Sequence, residues 1–339
     1  MVLVRRLCLF LLCLFALVGQ AATTLRVLAW PGYADPDVVA AFEQKTGIKV
    51  EVTFINTDDA LWEAASNNGG RDFDVLAVNT GELHRYIVKQ LVQEIPDASV
   101  PNVRTQLRRF QHAQGTEWDG KRYAVPYTYS EMGLIYNKRL VTVPPVSMAA
   151  LWETAYRGRI ALYEGSNHNF SLTALVMGLD HPFQLNDAQF KDAVRRLVQL
   201  RANRPYFYSA PEEAVTLFRK HPVALMFGNY GTQQVQLLKN AGFDIGYVIP
   251  QEGVIAWMDC WAVLRGASDM EAATAWVNYM ASAEVGRILT QRQGLPNTQQ
   301  PVSTLSDKDK IYWLQPVESD ALRNQYWSRI LSGARHGDY

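Results

Sequence analysis

The chain has 339 residues, enough for about two domains, and a 48% apolar fraction that can build a real core. Its 33 basic and 33 acidic residues cancel. That balance argues against a broad nucleic-acid footprint and against a basic membrane-surface helix, so any charge selectivity must be local.

The first 21 residues read as a secretory signal peptide. Arg5 and Arg6 precede an apolar run over residues 7–18, and Gly19-Gln20-Ala21 supplies small residues for cleavage after Ala21. Cys8 and Cys13 would leave with it, and Cys260 would be the one cysteine retained, so no internal disulfide is expected. Leu11-Leu12-Cys13-Leu14 has no small residues before the cysteine, which argues against a lipid anchor. No later stretch approaches the apolar length of a membrane span. The expectation is an exported soluble protein of a bacterial periplasm.

Leu25-Arg26-Val27-Leu28-Ala29-Trp30 reads as a buried strand ended by Pro31-Gly32. Asp35-Pro36 opens a helix that Gly47 stops. Residues 48–54 alternate like a strand, and Thr57 caps a helix through Trp62, broken at Asn68-Gly69-Gly70. Residues 73–78 form a third strand and 82–89 a third helix. This alternation predicts a parallel α/β sheet, with ligands beyond the carboxyl ends of its strands, at residues 30–33 and 79–81. Asn79 and Thr80 serve either that site or the cap of the next helix.

Residues 123–136 are Tyr-rich and extended, with Pro144-Pro145 as a break behind them. A second α/β set follows: a strand at 160–162, an amphipathic helix at 187–201, and a helix opened by Ser209-Ala210-Pro211. A strand at 223–227, a helix at 232–241 and a strand at 245–249 complete it. Helices are expected at 270–280, 283–291 and 321–331. Two such units joined by an extended crossover predict a bilobal protein with a cleft, where ligand sites favour the interface.

Motifs for a serine nucleophile elbow, a phosphate loop, a dinucleotide fold or a His-Glu-x-x-His zinc site are absent from the sequence. The six histidines are scattered, so neither an enzyme nor a metal or cofactor protein is expected. A chance pair of carboxylates leaves a two-acid hydrolase as a residual alternative. His168 lies in a loop after a strand, where it is either solvated or touches a ligand. The most informative stretch is Gly253-Val254-Ile255-Ala256-Trp257-Met258-Asp259-Cys260-Trp261. If extended, it points Trp257 and Asp259 to one side. An indole face beside a carboxylate suits an organic ammonium. The alternative is a core tryptophan and a turn-capping aspartate.

These residues resemble the periplasmic spermidine/putrescine-binding proteins of bacterial ABC transporters over essentially the whole mature chain. The resemblance rests on residues 25–33, which end Trp30-Pro31-Gly32-Tyr33, on residues 42–50 and on Asp74-Val75-Leu76. It also rests on Tyr123-Ala124-Val125-Pro126-Tyr127, on Gly158-Arg159-Ile160 and on the Trp257-Met258-Asp259 run, the most specific of these. It implies an α/β fold of two lobes, discontinuous in sequence, closing by a hinge over a polyamine in the cleft. The expected lobes are 22–128 plus 258–302, and 129–257 plus 303–339. Carried over by position, Trp30, Tyr33 and Trp257 would wall the methylene chain, Asp259 would anchor an ammonium and Asn79 would hydrogen-bond beside it. Phe227 or Tyr230 would add another wall, with Gln315 near the C-terminus.

The departures are specific. Gly32 stands where the family often has an acid, and Gly81 where it often has an aromatic. Tyr163-Glu164-Gly165-Ser166-Asn167-His168 has one carboxylate where the family clusters several. An unpaired buried ammonium costs several kcal/mol. Either Glu82 or Glu131 takes over from the missing acids, alongside Glu164, or the ligand carries fewer or differently spaced amines. Glu131 is otherwise an exposed strand residue. A protonated His168 would repel a cation, so weaker binding at mildly acidic pH is expected if it lines the site. The implied partners are a polyamine and a membrane ABC permease, for a monomer without nucleic acid. The alternatives are a polyamine-sensing partner of a membrane signalling protein, or a binding protein for another small polar solute.

Overall fold

The computed structural model describes residues 24–301 and 309–333. The signal peptide expected over residues 1–21 lies outside them. The first half alternates as read: β1 (Thr24–Ala29), α1 (Pro36–Thr46), β2 (Lys49–Phe54), α2 (Asp58–Ser66), β3 (Val75–Asn79) and α3 (Thr80–Val88). Local chemistry sets the boundaries. Pro36 begins α1, and Gly47 ends it in the left-handed region at φ 76°. The Thr57 side chain accepts from the Ala60 N–H, and the Asn79 side chain from the Glu82 N–H, capping α2 and α3.

A short helix α4 (Arg108–Gln111) and a small hairpin, β4 (Glu117–Trp118) and β5 (Lys121–Arg122), lead into β6 (Ala124–Glu131) and β7 (Leu134–Asn137). The second unit holds β8 (Ile160–Tyr163), α5 (Ser166–Val176), α6 (Asp187–Ala202), β9 (Tyr206–Tyr208), α7 (Glu213–Lys220), β10 (Leu225–Phe227), α8 (Thr232–Asn240) and β11 (Ile245–Val248). The chain then returns through β12 (Val254–Val263), α9 (Met270–Met280), α10 (Ala283–Gln293) and β13 (Ile311–Trp313), and closes with α11 (Asp320–Leu331).

Two sheets make two lobes. The first runs β13-β12-β3-β1-β2, with β6 on the other edge of β12. β1 is parallel to β2 and β3, as the alternation required, whereas β12 is antiparallel to both β3 and β6. The second runs β11-β7-β10-β8-β9. Side chains alternate across the first sheet. Val27, Tyr127, Trp261 and Val263 pack on one face with Phe42 and Trp276. Leu28, Tyr129, Met258 and Cys260 pack on the other with Tyr86 and Phe110. A bulge where Asp259 meets Cys260 leaves Tyr127 as the extra residue of β6.

Helix α11 is tied to the second lobe by Arg323, whose side chain is fully buried. It bonds both Glu318 oxygens at 2.8 and 2.7 Å, Ser171 Oγ at 2.9 Å, and the carbonyls of Asn167 and Pro182. The bidentate geometry satisfies a charge that would otherwise be costly to bury.

Three boundaries differ from the sequence reading. His168 is not in a loop but in the first turn of α5. That helix is buried nearly all round, from Asn169 to Leu175, so no polar stripe marks it in the sequence. The helix opened near Ser209 starts later, at Glu213, because the Glu213 carboxylate reaches back to the N–H groups of Ser209 and Ala210 and holds them in a turn. β13 has three residues, too few for a periodic pattern.

Candidate functional site

β12 is extended through both Trp257 and Asp259, which share one face of the strand, and Trp257 lies on the seam between the lobes. Trp257 packs against the cores of both lobes. Its Nε1 donates to the carbonyl of Asn229, in the loop after β10, at 3.1 Å. Close by, Thr232 Oγ1 at the start of α8 donates to the Gly294 carbonyl at the end of α10, at 2.8 Å. These bonds join the two lobes directly.

Asp259 is 8% exposed, and Tyr33 donates its phenolic O–H to it. Tyr33 is held in turn by Tyr127, whose O–H donates to the Tyr33 carbonyl at 3.0 Å and whose ring meets the Tyr33 ring edge-on at 5.3 Å. Ring contacts continue to Trp261 at 5.5 Å and from there to Trp276 at 5.8 Å. Among the described residues Asp259 makes no ion pair. Burial pushes its carboxyl up to about 6, and the Tyr33 hydrogen bond opposes the shift. Burial and the Asp259 charge together push the Tyr33 phenol far above its ordinary value.

The strand partner of Trp257 is Ser130 and that of Asp259 is Thr128, on β6. Ser130 Oγ, Asn229 Oδ1 and Trp30 Nε1 are buried and make no hydrogen bond among the described residues. Two of these residues adjoin the Trp257 indole, Ser130 as its strand partner and Asn229 as the acceptor of its N–H.

Asn79 is the strand partner of Asp259 across β3 and β12. It caps α3 and also donates from Nδ2 to Asp58 Oδ1 at 3.0 Å. Asn79 thus caps α3 while standing across from Asp259 in the sheet. Trp30, just beyond β1, packs between the two cores of the first lobe.

On the second lobe Tyr163 and Tyr230 meet edge-on at 5.9 Å, and Tyr163 meets His168 at 5.0 Å. Tyr230 O–H donates to the Ser209 carbonyl at 2.6 Å. His168 is half-buried, and burial together with the Arg323 charge pushes its pKa down to about 4. It is neutral at mildly acidic pH and cannot supply the pH sensitivity assigned to it from sequence. Asp259 holds the titration in that range.

The other expected residues lie apart. Glu131 is fully buried, so it is not an exposed strand residue. It pairs with Ala256, and alternation sets it on the face of Tyr129 and Met258, away from Asp259. Glu164 is exposed, while its backbone serves the second lobe: its N–H donates to the Tyr208 carbonyl and its carbonyl accepts from Trp327. Phe227 is fully buried in the second lobe's core. Gln315 is exposed just after β13. Glu82 is engaged by Arg85 at 2.8 Å.

Among the described residues no helix is long and apolar enough to cross a membrane. The chain resembles the putrescine/agmatine-binding protein of Pseudomonas aeruginosa, at 23% identity over 93% of each chain. It resembles the norspermidine sensor of Vibrio cholerae at 25% identity over 82% of this chain and 76% of that one. Its fold superposes on the spermidine/putrescine ABC transporter substrate-binding protein PotD of Streptococcus pneumoniae with a TM-score of 0.77 and 18% identity, over 92% of this chain and 100% of that one. The two-lobed α/β architecture is therefore shared with such proteins. The family described as "Bacterial extracellular solute-binding protein" matches residues 37–312, and the chain belongs to that family.

Proposed function

We propose that the protein is a periplasmic binding protein that captures a polyamine between its lobes and delivers it, as a monomer, to an ABC permease. One observation carries the reading. Asp259 is a buried carboxylate two residues from Trp257 on one face of β12, met by a phenol and, among the described residues, by no cation, while the Trp257 indole reaches the second lobe. An ionised carboxylate in that position needs a positive partner. An alkylammonium supplies the charge, an N–H for the carboxylate, and a CH₂–N⁺ body for the indole face. The similarity to the putrescine/agmatine-binding protein supports the same ligand class.

The chain crosses between the sheets at residues 132–133, 249–253 and 314–319, and these crossings serve as the hinge. The similarity to the norspermidine sensor supports a second reading, in which the closed protein docks on a membrane signalling receptor instead of a permease. Both readings use the same pocket.

The test is calorimetric titration of the mature protein, refolded to remove carried-over ligand, with putrescine, spermidine, norspermidine and a set of amino acids. Saturable one-to-one binding of a polyamine supports the reading. Heat only with amino acids, or with nothing in the panel, overturns it. Uptake of the bound amine with a reconstituted permease, or its absence, then separates transport from sensing.

A further inference from the structure

Thr232 opens α8 in the second lobe, and Gly294 caps the end of α10 in the first. The Thr232 hydroxyl donates to the Gly294 carbonyl at 2.8 Å. The carbonyl end of one helix thus meets the amide end of the other, so opposite ends of two helix dipoles face each other across the seam. The approach depends on a glycine from each lobe. Gly294 has φ 69°, and a Cβ on it would come within 2.5 Å of Gln236 Oε1 on α8. Gly231, just before Thr232, has φ 49°, and a Cβ there would overlap Ser130 Oγ and the Glu131 carbonyl oxygen on β6.

The receiving carbonyl is held in place from its own lobe. Arg292 bonds Asp35 at 2.7 Å and both Asp37 oxygens at 2.8 and 2.7 Å, which pins the tip of α10 to the start of α1. Gln293 lies over Gly32, where a Cβ would come within 2.5 Å of the Gln293 amide nitrogen. Tyr33 is the next residue, and it donates to Asp259. One helix tip therefore touches the loop that carries the Asp259 phenol and presents the carbonyl that the second lobe grips. An acceptor fixed beforehand has little freedom to lose when its donor arrives.

We propose that Thr232 is a closure latch, a positioning residue that holds the lobes together through Gly294 without touching the ligand. The bond forms when the lobes meet and is lost when hinge motion parts them, so it favours the closed state alone. Removing it weakens closure and leaves the open form's encounter with a ligand unchanged. Its signature is therefore kinetic: faster release at an unchanged rate of capture. Because only groups of the chain take part, the latch also gives the ligand-free protein a closed population. The assignment rests on the reading that the lobes close over a ligand, not on which ligand it is.

The experiment compares the mature wild type with Thr232→Val, which keeps the shape and removes the hydroxyl, and with Thr232→Ser, which keeps the hydroxyl. Stopped-flow fluorescence with putrescine and spermidine reads capture and release. A neutral hydrogen bond shifts an equilibrium about fivefold. Thr232→Val is therefore expected to release either amine about fivefold faster with an unchanged rate of capture, and Thr232→Ser to match wild type. Spin labels at Lys45→Cys and Lys220→Cys, exposed and one on each lobe, read closure as an interlobe distance by double electron–electron resonance; Cys260 is buried and stays unlabelled. Without ligand, wild type is expected to show a short and a long distance, and Thr232→Val to lower the short population about fivefold relative to the long one. Equal release from wild type and Thr232→Val, a Thr232→Ser variant that behaves like Thr232→Val, or ligand-free distances that do not differ overturns the latch. Failure of both amines to bind overturns the polyamine reading alone, and the ligand-free distances then decide the latch.

Discussion

Tyr33 donates a hydrogen bond from its phenolic O–H to Asp259, so among the described residues this buried carboxylate is held by a neutral donor rather than by a cation. The bond fixes the carboxylate's position without neutralising it. That leaves the charge for something from outside the chain.

The first prediction concerns stability against function at Asp259. Its carboxyl has a folded pKa of about 6, against an ordinary 3.8. A raised folded pKa contributes stability that is complete below the unfolded value and lost as pH rises through the folded one. Above pH 6 the ionised group therefore destabilises the unliganded fold by about 2 to 3 kcal/mol. Asp259→Asn should abolish amine binding and, at pH 7.5, raise the unliganded Tm by on the order of 5 °C. Scanning calorimetry of both proteins at pH 4 and 7.5 checks it: the gap should be present at the higher pH and absent at the lower. A variant less stable than wild type at pH 7.5 would contradict the account.

Ligand affinity should fall with pH through the same group. Amine binding needs the ionised carboxylate, and binding the cation holds it ionised. With a free-protein pKa of about 6, affinity is near its plateau at pH 7.5, is about fourfold weaker at pH 5.5 and roughly tenfold weaker at pH 5. His168 is neutral over that whole span, its pKa lying at about 4. His168→Gln should keep the profile. Titrations at four pH values with both proteins decide the matter, and a flat profile would exclude Asp259 as the anchor.

Tyr33→Phe removes the donor while keeping the ring on Tyr127. Hydrogen bonds to charged groups are worth about 1.5 to 3 kcal/mol. The variant should bind amines about tenfold more weakly at pH 7.5, and its affinity-against-pH midpoint should move above that of wild type, because the carboxyl loses the bond that holds its pKa down. A weaker affinity with an unmoved midpoint would mean the phenol acts through packing alone.

Arg323 is predicted to act on stability and not on the seam. Arg323→Ala leaves Glu318 partly buried without its partner, and breaking such a pair costs about 3 to 5 kcal/mol. Urea denaturation should show that loss, while the folded fraction binds amine within threefold of wild type. The His168 imidazole, freed of the guanidinium's charge, should titrate higher, which proton NMR reads directly.

Much of this architecture was legible in the sequence, for identifiable reasons. Asp35-Pro36 with Gly47, Thr57 and Asn79 are local signals, and each bounds its helix as read. The period of two in an extended strand was enough to bring Trp257 and Asp259 to one face of β12. The same alternation separates Glu131 from them, but seeing that requires the pairing of Glu131 with Ala256, which no single strand discloses. The first turn of α5 was missed because a helix buried all round has no amphipathic stripe.

The ring contacts running from Tyr33 through Tyr127 to Trp261 and Trp276 join the Asp259 carboxylate to indoles deep in the first lobe. Excited-state energy passes readily from tyrosine to a tryptophan in such contact, and the emission of an indole depends on the charge around it. Neutralising Asp259 with a cation changes the field on Tyr33 and on the indole of Trp257 at once. On the proposed reading the protein would carry its own optical reporter of occupancy, readable in ultraviolet emission with no dye attached.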